Sequence, residues 1–201
     1  MSNSEGLELR QALVNALKRK GDLGDTALEA AFLAVPRHFF LPDVPLDRAY
    51  ADEAVPVKRD ADGSVLSSAS QPSMIALMLR QLRLRPGDNV LEIGAGTGYN
   101  AAVMQHMVGS EGTVTSVEID PQIAKQARLN LQRAGMSEVN VVDADGAMGY
   151  PVRAQYDRII ATAAVWDVPP AWVKQLKSSG ILVAPIGGAA QYSAAFTFEP
   201  D

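Results

Sequence analysis

The sequence predicts an α/β fold in which a doubly wound, mostly parallel sheet carries helices on both faces. Three observations lead to this prediction. Short apolar runs alternate regularly with helical patterns from residue 89 onward. Within residues 90–99, one apolar run passes directly into glycines at 94, 96 and 98 and then into a helical pattern. The next two predicted strands end in acidic residues, and a doubly wound sheet brings such strand ends to one crevice.

The part of the chain before residue 89 is predicted to be mainly helical. Its elements are a helix over 7–19, a helix over 26–34, an ordered non-helical segment over 36–42, irregular structure over 43–66 and a helix over 72–82. Asp25 stands where it can cap the second helix. Prolines bound the non-helical segment on both sides, which is why no helix is expected there.

After a turn at 86–88, strands and helices alternate. The predicted strands lie near 89–93, 113–118, 139–142, 157–162, 181–186 and 193–198. The predicted helices lie near 99–107, 121–134 and 169–176. An alternation of this kind produces parallel strands joined by crossover helices.

The glycine-rich turn predicts a site for a nucleotide-like cofactor. Glycine permits both the sharp turn from strand to helix and a close approach of the backbone to a ligand. The N-terminus of the helix that follows offers unpaired N–H groups and a partial positive charge. A dinucleotide fingerprint would place its third glycine at position 99, which is tyrosine in this chain.

Acidic residues at two later strand ends narrow the choice of cofactor. Glu118 lies 22 positions after Gly96, where a carboxylate can accept both ribose hydroxyls. Asp143 and Asp145 follow the third strand. An adenosine held in this crevice without a pyrophosphate cradle fits S-adenosylmethionine better than NAD. A nicotinamide-dependent oxidoreductase remains the weaker alternative.

Composition excludes several other classes of protein. The chain has 201 residues, of which 47% are hydrophobic and 20% charged, as in an ordinary globular domain. Its net charge of −5 argues against a general nucleic-acid binder. With no cysteine and two histidines, neither a disulfide framework nor a cysteine- or histidine-rich metal site is expected. The first residues show no signal-peptide pattern, and no apolar run approaches a membrane span. We therefore expect a cytoplasmic monomer without a metal or membrane partner.

Several motifs then occur in order along the chain. They are PRHFFLP at 36–42, AYAD at 49–52 with Pro56, SQPSM at 70–74, the glycine segment at 90–102, and DRIIATAA at 157–164 with Pro169. In this order and spacing the sequence resembles the protein-L-isoaspartate O-methyltransferases, from about residue 10 to residue 188.

The resemblance implies a fold, an activity and a division of the chain. The fold would be a Rossmann-like class I methyltransferase with an N-terminal helical cap. The activity would be S-adenosylmethionine-dependent carboxyl O-methylation of L-isoaspartyl or L-aspartyl residues in a protein or peptide, the ester closing to a succinimide. Residues 1–201 would form one domain, with the cap over 1–60, a substrate loop and helix over 61–85, and the cofactor-binding core over 86–201.

The resemblance also implies roles for individual residues. Gly94, Gly96 and Gly98 would contact the methionine end of the cofactor, Glu118 the ribose and Asp145 the adenine. Ser70 matches the serine that the family places beside the transferred methyl group, and Ser67 and Ser68 are further catalytic candidates. The remaining cofactor-binding candidates are Glu92, Ala95, Thr97, Ile119, Gly146 and Thr162. The substrate-binding candidates are Asp52, Pro56, Gln71, Ala163 and Trp166.

Simpler structural interpretations stand beside four of these assignments. Ser70 could cap the helix that begins near Pro72. Asp145 could form a turn. Trp166 could pack in the core, and Asp52 could brace the N-terminal cap.

Three departures from the family pattern affect the predicted substrate and fold. Residues 63–70 are GSVLSSAS, Trp166 and Asp167 occupy a loop that is normally small and proline-rich, and the chain ends at Asp201. From this end we expect the usual seventh strand to be missing. The serine-rich segment favours an alternative, a dedicated Asp methyltransferase of a ribosomal peptide natural-product pathway. A second alternative is a non-catalytic protein that binds the cofactor and a partner.

Overall fold

The structure, a computed structural model, describes residues 3–187 and 191–197. Its α-helices are α1 (Asn3–Lys20), α2 (Thr26–Ala34), α3 (Leu46–Ala49), α4 (Pro72–Leu82), α5 (Tyr99–Val108), α6 (Pro121–Arg133) and α7 (Pro170–Gln175). Its strands are β1 (Val55–Arg59), β2 (Val65–Ala69), β3 (Asn89–Ile93), β4 (Thr113–Glu118), β5 (Asn140–Asp143), β6 (Tyr156–Ala161), β7 (Leu176–Gly187) and β8 (Gln191–Thr197). Short 3-10 helices lie at Arg37–Phe40, Gly146–Met148 and Pro151–Arg153.

The main sheet has the strand order β5-β4-β3-β6-β7-β8. The central strand β3 pairs in parallel with β4 and β6, and β5 and β7 continue the parallel sheet on either side. The edge strand β8 runs antiparallel to β7. This is the mostly parallel, doubly wound sheet predicted from the sequence, and it places the carboxyl ends of β3, β4, β5 and β6 along one edge.

Helices cover both faces of this sheet, so the central strands β3 and β4 are buried along almost their whole length. Val90 packs in the larger core cluster, together with buried residues of α1, α2, α4, α5 and α6. Its neighbour Leu91 packs on the opposite face, in a second cluster that contains Trp172 of α7. Because successive strand residues point to opposite faces, two adjacent apolar residues mark a strand that is buried on both sides.

The N-terminal helices are joined to the sheet by specific polar contacts as well as by packing. The Asp25 carboxylate accepts the Ala27 N–H at 2.8 Å, which confirms the predicted cap of α2. Asp52 accepts a hydrogen bond from the Ser73 N–H at the start of α4 and pairs with Lys20 of α1 at 2.8 Å. These contacts confirm the interpretation of Asp52 as a brace for the N-terminal elements.

The prediction for residues 36–66 was partly wrong. Residues 37–40 form a 3-10 helix rather than a non-helical segment. Within the stretch expected to be irregular, the structure has the short helix α3 and most of an antiparallel hairpin of β1 and β2. The hairpin turn is held by the Asp60 N–H, which donates to the Ser64 carbonyl at 2.9 Å, and by Gly63 at φ +86°. The strands carry proline, charged residues and serines, so they lack the apolar alternation by which a strand is predicted.

The other predicted elements agree with the structure apart from their ends. Strand β7 begins at Leu176 rather than near residue 181. The sequence analysis missed this first part of the strand because residues 178–180 are small and show no apolar pattern. Residue 198, the predicted end of the last strand, and Asp201, from which the missing seventh strand was inferred, lie outside the described residues. Within the described ranges, no helix is both long and apolar enough to cross a membrane.

Candidate active site

A cavity of about 610 Å³ lies at the carboxyl ends of the parallel strands and is walled on one side by β2. It brings together thirteen of the residues that the sequence analysis selected. They are Ser67, Ser68, Ser70, Glu92, Gly94, Ala95, Gly96, Thr97, Glu118, Ile119, Gly146, Thr162 and Ala163. The cavity therefore brings together the serine segment (residues 67–70) and the glycine turn (residues 94–98), although they lie far apart in sequence.

The glycine turn after β3 depends on backbone conformations that favour glycine. Gly94 has φ +96°, and a Cβ at this position would lie 2.8 Å from Oγ1 of Thr162. That hydroxyl donates to the Gly94 carbonyl at 2.6 Å and so ties the end of β6 to the turn. Gly96 has φ +52°, and a Cβ there would meet no atom within 4 Å. Thr162 thus fixes the turn at Gly94, while the backbone at Gly96 has free space beside it in the cavity.

Glu118, at the end of β4, faces this turn. Its Oε2 accepts the Gly96 N–H at 3.0 Å, and its Oε1 accepts the Asp120 N–H at 3.2 Å. Asp120 caps α6 by accepting the N–H groups of Gln122 and Ile123. It also forms an ion pair with Lys58 of β1. The hairpin is therefore attached to the same strand end that carries the acidic residue.

The serine segment lies at the other side of the cavity. Ser67 and Ser68 belong to β2, and Ser70 follows it. The carbonyl oxygen of Ser70 accepts a hydrogen bond from Nη2 of Arg37 at 2.9 Å. The residue at the N-cap of α4 is Gln71, which makes no side-chain capping bond. The interpretation of Ser70 as a helix cap was therefore wrong.

The turn after β5 supplies a third wall. The Asp145 carboxylate accepts the Ala147 N–H at 2.9 Å, which confirms the turn-forming interpretation, while Gly146 borders the cavity. Nε1 of the buried Trp172 donates to the Gly146 carbonyl at 2.8 Å. Trp172 thus supports this wall from the core behind it.

Six predicted site residues lie outside the walls of the cavity: Gly98, Asp145, Asp52, Pro56, Gln71 and Trp166. Gly98 is the N-cap of α5 with φ +86°, and a Cβ there would lie 3.2 Å from Leu131 of α6, so it serves helix packing. Pro56 borders a second cavity of about 480 Å³ that shares Gly96 and Thr97 with the first. Trp166 is 84% exposed, so the interpretation of Trp166 as a core residue was wrong.

Glu92 of β3 is a fully buried acid at the bottom of the cavity. Nδ2 of Asn100 donates to its Oε1 at 2.8 Å, and Oγ of Ser116 donates to its Oε2 at 2.5 Å. Burial raises the pKa of Glu92 to about 7, because the low-dielectric surroundings disfavour the charged form more than the two hydrogen bonds favour it.

This raised pKa predicts a pH-dependent stability. Above its unfolded-state pKa, near 4.5, Glu92 destabilises the folded state progressively as the pH rises to about 7. We expect Glu92→Gln to stabilise the cofactor-free protein at pH 8 by on the order of 2–3 kcal/mol. The gain should largely vanish at pH 4.5. Urea unfolding of both proteins at the two pH values measures it, and an equal difference at both would contradict the prediction.

The sequence analysis missed several residues of the cavity wall. The most informative is Arg37, which was noted within a motif but given no role. Tyr99 and Asn100, in the first turn of α5, also border the cavity. Their positions directly after the glycine turn were the available signal. Among residues 3–187 and 191–197, no three histidine, aspartate or glutamate side chains are grouped so as to hold a metal ion.

Comparison with known families identifies the family of this chain. The family model for protein-L-isoaspartate(D-aspartate) O-methyltransferase matches residues 8–199. The chain belongs to this family. This confirms the resemblance inferred from the ordered motifs.

Individual relatives agree with the assignment. The chain is 44% identical over 179 residues to a protein-L-isoaspartate O-methyltransferase from Methanopyrus kandleri, covering 89% of this chain and 76% of the relative. It is 43% identical to the protein of the same name from Methanococcoides burtonii, covering 87% of this chain and 82% of the relative.

Solved structures support the fold. One protein-L-isoaspartate O-methyltransferase superposes with a TM-score of 0.86 and 38% identity, covering 94% of this chain and 60% of its own. A candidate member of the family from Plasmodium falciparum, in complex with S-adenosyl-L-homocysteine, superposes with a TM-score of 0.83 at 21% identity, covering 95% of this chain and 90% of its own. These likenesses confirm the Rossmann-like methyltransferase fold.

Proposed function

We propose that this chain is an S-adenosylmethionine-dependent carboxyl O-methyltransferase that acts on isoaspartyl residues of proteins or peptides. The observation that carries the proposal is the single cavity in which the glycine turn, Glu118 and the serine segment meet. Family membership supplies the activity, and the cavity supplies a place where a cofactor and an acceptor can lie together.

The residues around the cavity suit an adenosine joined to an amino acid. The Glu118 carboxylate would accept the ribose hydroxyls, in exchange for the backbone N–H of Gly96 that it accepts in this structure. Gly94 and Gly96 would lie along the methionine end, beside Ala95 and Thr97. Gly146, with Ile119, would border the adenine. The Plasmodium falciparum neighbour holds the demethylated form of this cofactor.

The chain's own task is to align the acceptor and exclude water. When bound, S-adenosylmethionine supplies an electrophilic methyl group. An Asp-type carboxylate has a pKa near ~4, so at neutral pH it is already ionised and needs no general base. Ser70 would donate a hydrogen bond that orients this carboxylate, with Ser67 and Ser68 nearby. Alignment of two reactants can contribute roughly 7–11 kcal/mol to lowering the barrier. The next backbone nitrogen can then attack the ester carbonyl and expel methanol, which gives a succinimide without the enzyme.

The hairpin offers a way to hold the acceptor's backbone. Strand β2 pairs with β1 along one edge, and residues 65–70 all border the cavity. An extended acceptor segment can add to the other edge of such a strand through main-chain hydrogen bonds. Ala163 and the exposed Trp166 follow β6 and would contact residues that flank the acceptor.

We further propose that residues 1–201 form one domain, which acts as a monomer in the cytoplasm and needs no metal ion. The two alternative functions named in the sequence analysis gain no support from the comparisons. The relatives described above are named as isoaspartate methyltransferases, which supports neither a dedicated enzyme of a peptide pathway nor a non-catalytic partner protein.

Two matched peptides test the proposal. One contains an isoaspartyl residue and the other a normal Asp at the same position, and each is incubated with the protein and S-adenosylmethionine. Mass spectrometry is expected to show addition of one methyl group to the isoaspartyl peptide alone. Methylation of neither peptide by a protein that binds S-adenosylhomocysteine would contradict the proposed substrate.

A further inference from the structure

Arg37 is a fully buried arginine at the wall of the cavity. Its Nε donates to the Ala49 carbonyl at 3.0 Å, and its Nη2 donates to the Ser70 carbonyl at 2.9 Å. Its Cζ lies 4.9 Å from the centre of the Tyr99 ring. These contacts hold the guanidinium between the N-terminal elements, the serine segment and the first turn of α5.

The charge of this guanidinium is incompletely compensated. Nη1 is buried and has no hydrogen-bond partner among the described residues. No carboxylate of the described ranges forms an ion pair with Arg37, and Asp52, whose charge acts on it from a distance, is paired with Lys20. Burial lowers the pKa of Arg37, but arginine stays protonated in proteins. A buried cation with a free N–H calls for an anion or another acceptor.

We propose that Arg37 is the residue of this cavity that binds a carboxylate, through the N–H groups of Nη1. The inference rests on the proposed function, which brings two carboxylates into the cavity. One is the free α-carboxylate of the isoaspartyl acceptor, and the other belongs to the amino-acid end of the cofactor. Hydrogen bonds between a guanidinium and a carboxylate are charge-assisted and directional, so Arg37 orients the group that it binds. Its bond to the Ser70 carbonyl places this cation beside the proposed catalytic serine.

The test compares ligands that differ only in the carboxylate. The first pair is S-adenosylhomocysteine and its decarboxylated analogue, measured by calorimetry. The second pair is the isoaspartyl peptide and its isoasparaginyl amide, measured by calorimetry in the presence of S-adenosylhomocysteine. In at least one of the pairs, we expect the unsubstituted protein to bind the ligand that carries the carboxylate roughly tenfold to a hundredfold more tightly than its partner ligand. We expect Arg37→Met to reduce that preference to less than about threefold.

Two variants separate this role from a purely structural one. Arg37→Lys keeps a cation and is expected to retain part of the preference, and it replaces Arg37→Met if the latter does not fold. Arg158→Lys is the matched control, because Arg158 is also buried but pairs with Asp88 and does not border the cavity. A structural defect would weaken both members of a pair equally and leave the preference unchanged.

The outcomes are distinct. Loss of preference in the peptide pair assigns Arg37 to the acceptor, and loss in the cofactor pair assigns it to the cofactor. If the preference survives substitution of Arg37 in every pair that shows one, or if the unsubstituted protein shows no preference in either pair, the proposal is overturned. Failure of the unsubstituted protein to methylate an isoaspartyl peptide would contradict the proposed function, whereas the cofactor pair would still report on Arg37.

Discussion

Glu118→Ala is expected to weaken the binding of S-adenosylhomocysteine on the order of 100-fold. The carboxylate lies at the end of β4 and is only 8% exposed, with its oxygens directed at the N–H groups of Gly96 and Asp120. A carboxylate that accepts two ribose hydroxyls gains two charge-assisted hydrogen bonds of about 1.5–3 kcal/mol each, from which the lost bond to the Gly96 N–H is subtracted. Alanine removes both and leaves the ribose hydroxyls without an acceptor in a partly closed cavity.

Isothermal titration calorimetry measures this effect directly, without relying on turnover. Glu111→Ala is the matched control, because Glu111 is an exposed glutamate in the turn before the same strand. It is expected to bind as tightly as the unsubstituted protein. A Glu118→Ala protein with unchanged melting temperature and affinity within threefold would remove Glu118 from the cofactor site.

Ser70→Ala is expected to lower kcat roughly 10- to 100-fold while the affinity for S-adenosylhomocysteine stays within twofold. The backbone of Ser70 is already held by Arg37, and the side chain caps no helix. Loss of the hydroxyl therefore leaves the local fold intact and removes only the hydrogen bond proposed to orient the acceptor. Because proximity is the main catalytic contribution here, a loss of alignment appears in kcat rather than in cofactor binding.

Initial rates on an isoaspartyl peptide at saturating cofactor test this expectation. Ser178→Ala on the exposed part of β7 is the control and should leave kcat unchanged. Ser67→Ala and Ser68→Ala show whether the neighbouring hydroxyls share the role. If Ser70→Ala turns over at the normal rate while one of these does not, the orienting hydroxyl lies on β2 and not at Ser70.

Much of the core could be predicted because its signals are local. Strands β3 and β6 are buried on both faces, so each is marked by consecutive apolar residues such as Val90 and Leu91. The turn at Gly94 and Gly96 has positive φ angles, which favour glycine at those positions. The carboxylate of Glu118 follows from the spacing along one strand–helix–strand unit.

The hairpin was missed because its stability has another origin. The β1 and β2 strands are joined by backbone hydrogen bonds and a tight turn, and their side chains do not alternate between apolar and polar. The ion pair of Lys58 with Asp120, 62 positions apart, attaches the hairpin to the core. No local sequence pattern predicts a contact between residues so far apart.

By itself the sequence determined the order of the elements after residue 89, the family and the glycine turn with its acidic partner, because each depends on residues that are near one another along the chain. Only the tertiary structure decided which side chains share the cavity. Arg37 meets Ser70 across 33 positions. Burial is the main cause of the raised pKa of Glu92, and it leaves one N–H group of Arg37 without a partner among the described residues. These properties depend on the burial of a residue and on its hydrogen-bond partners, and both are determined only when distant segments of the chain pack together.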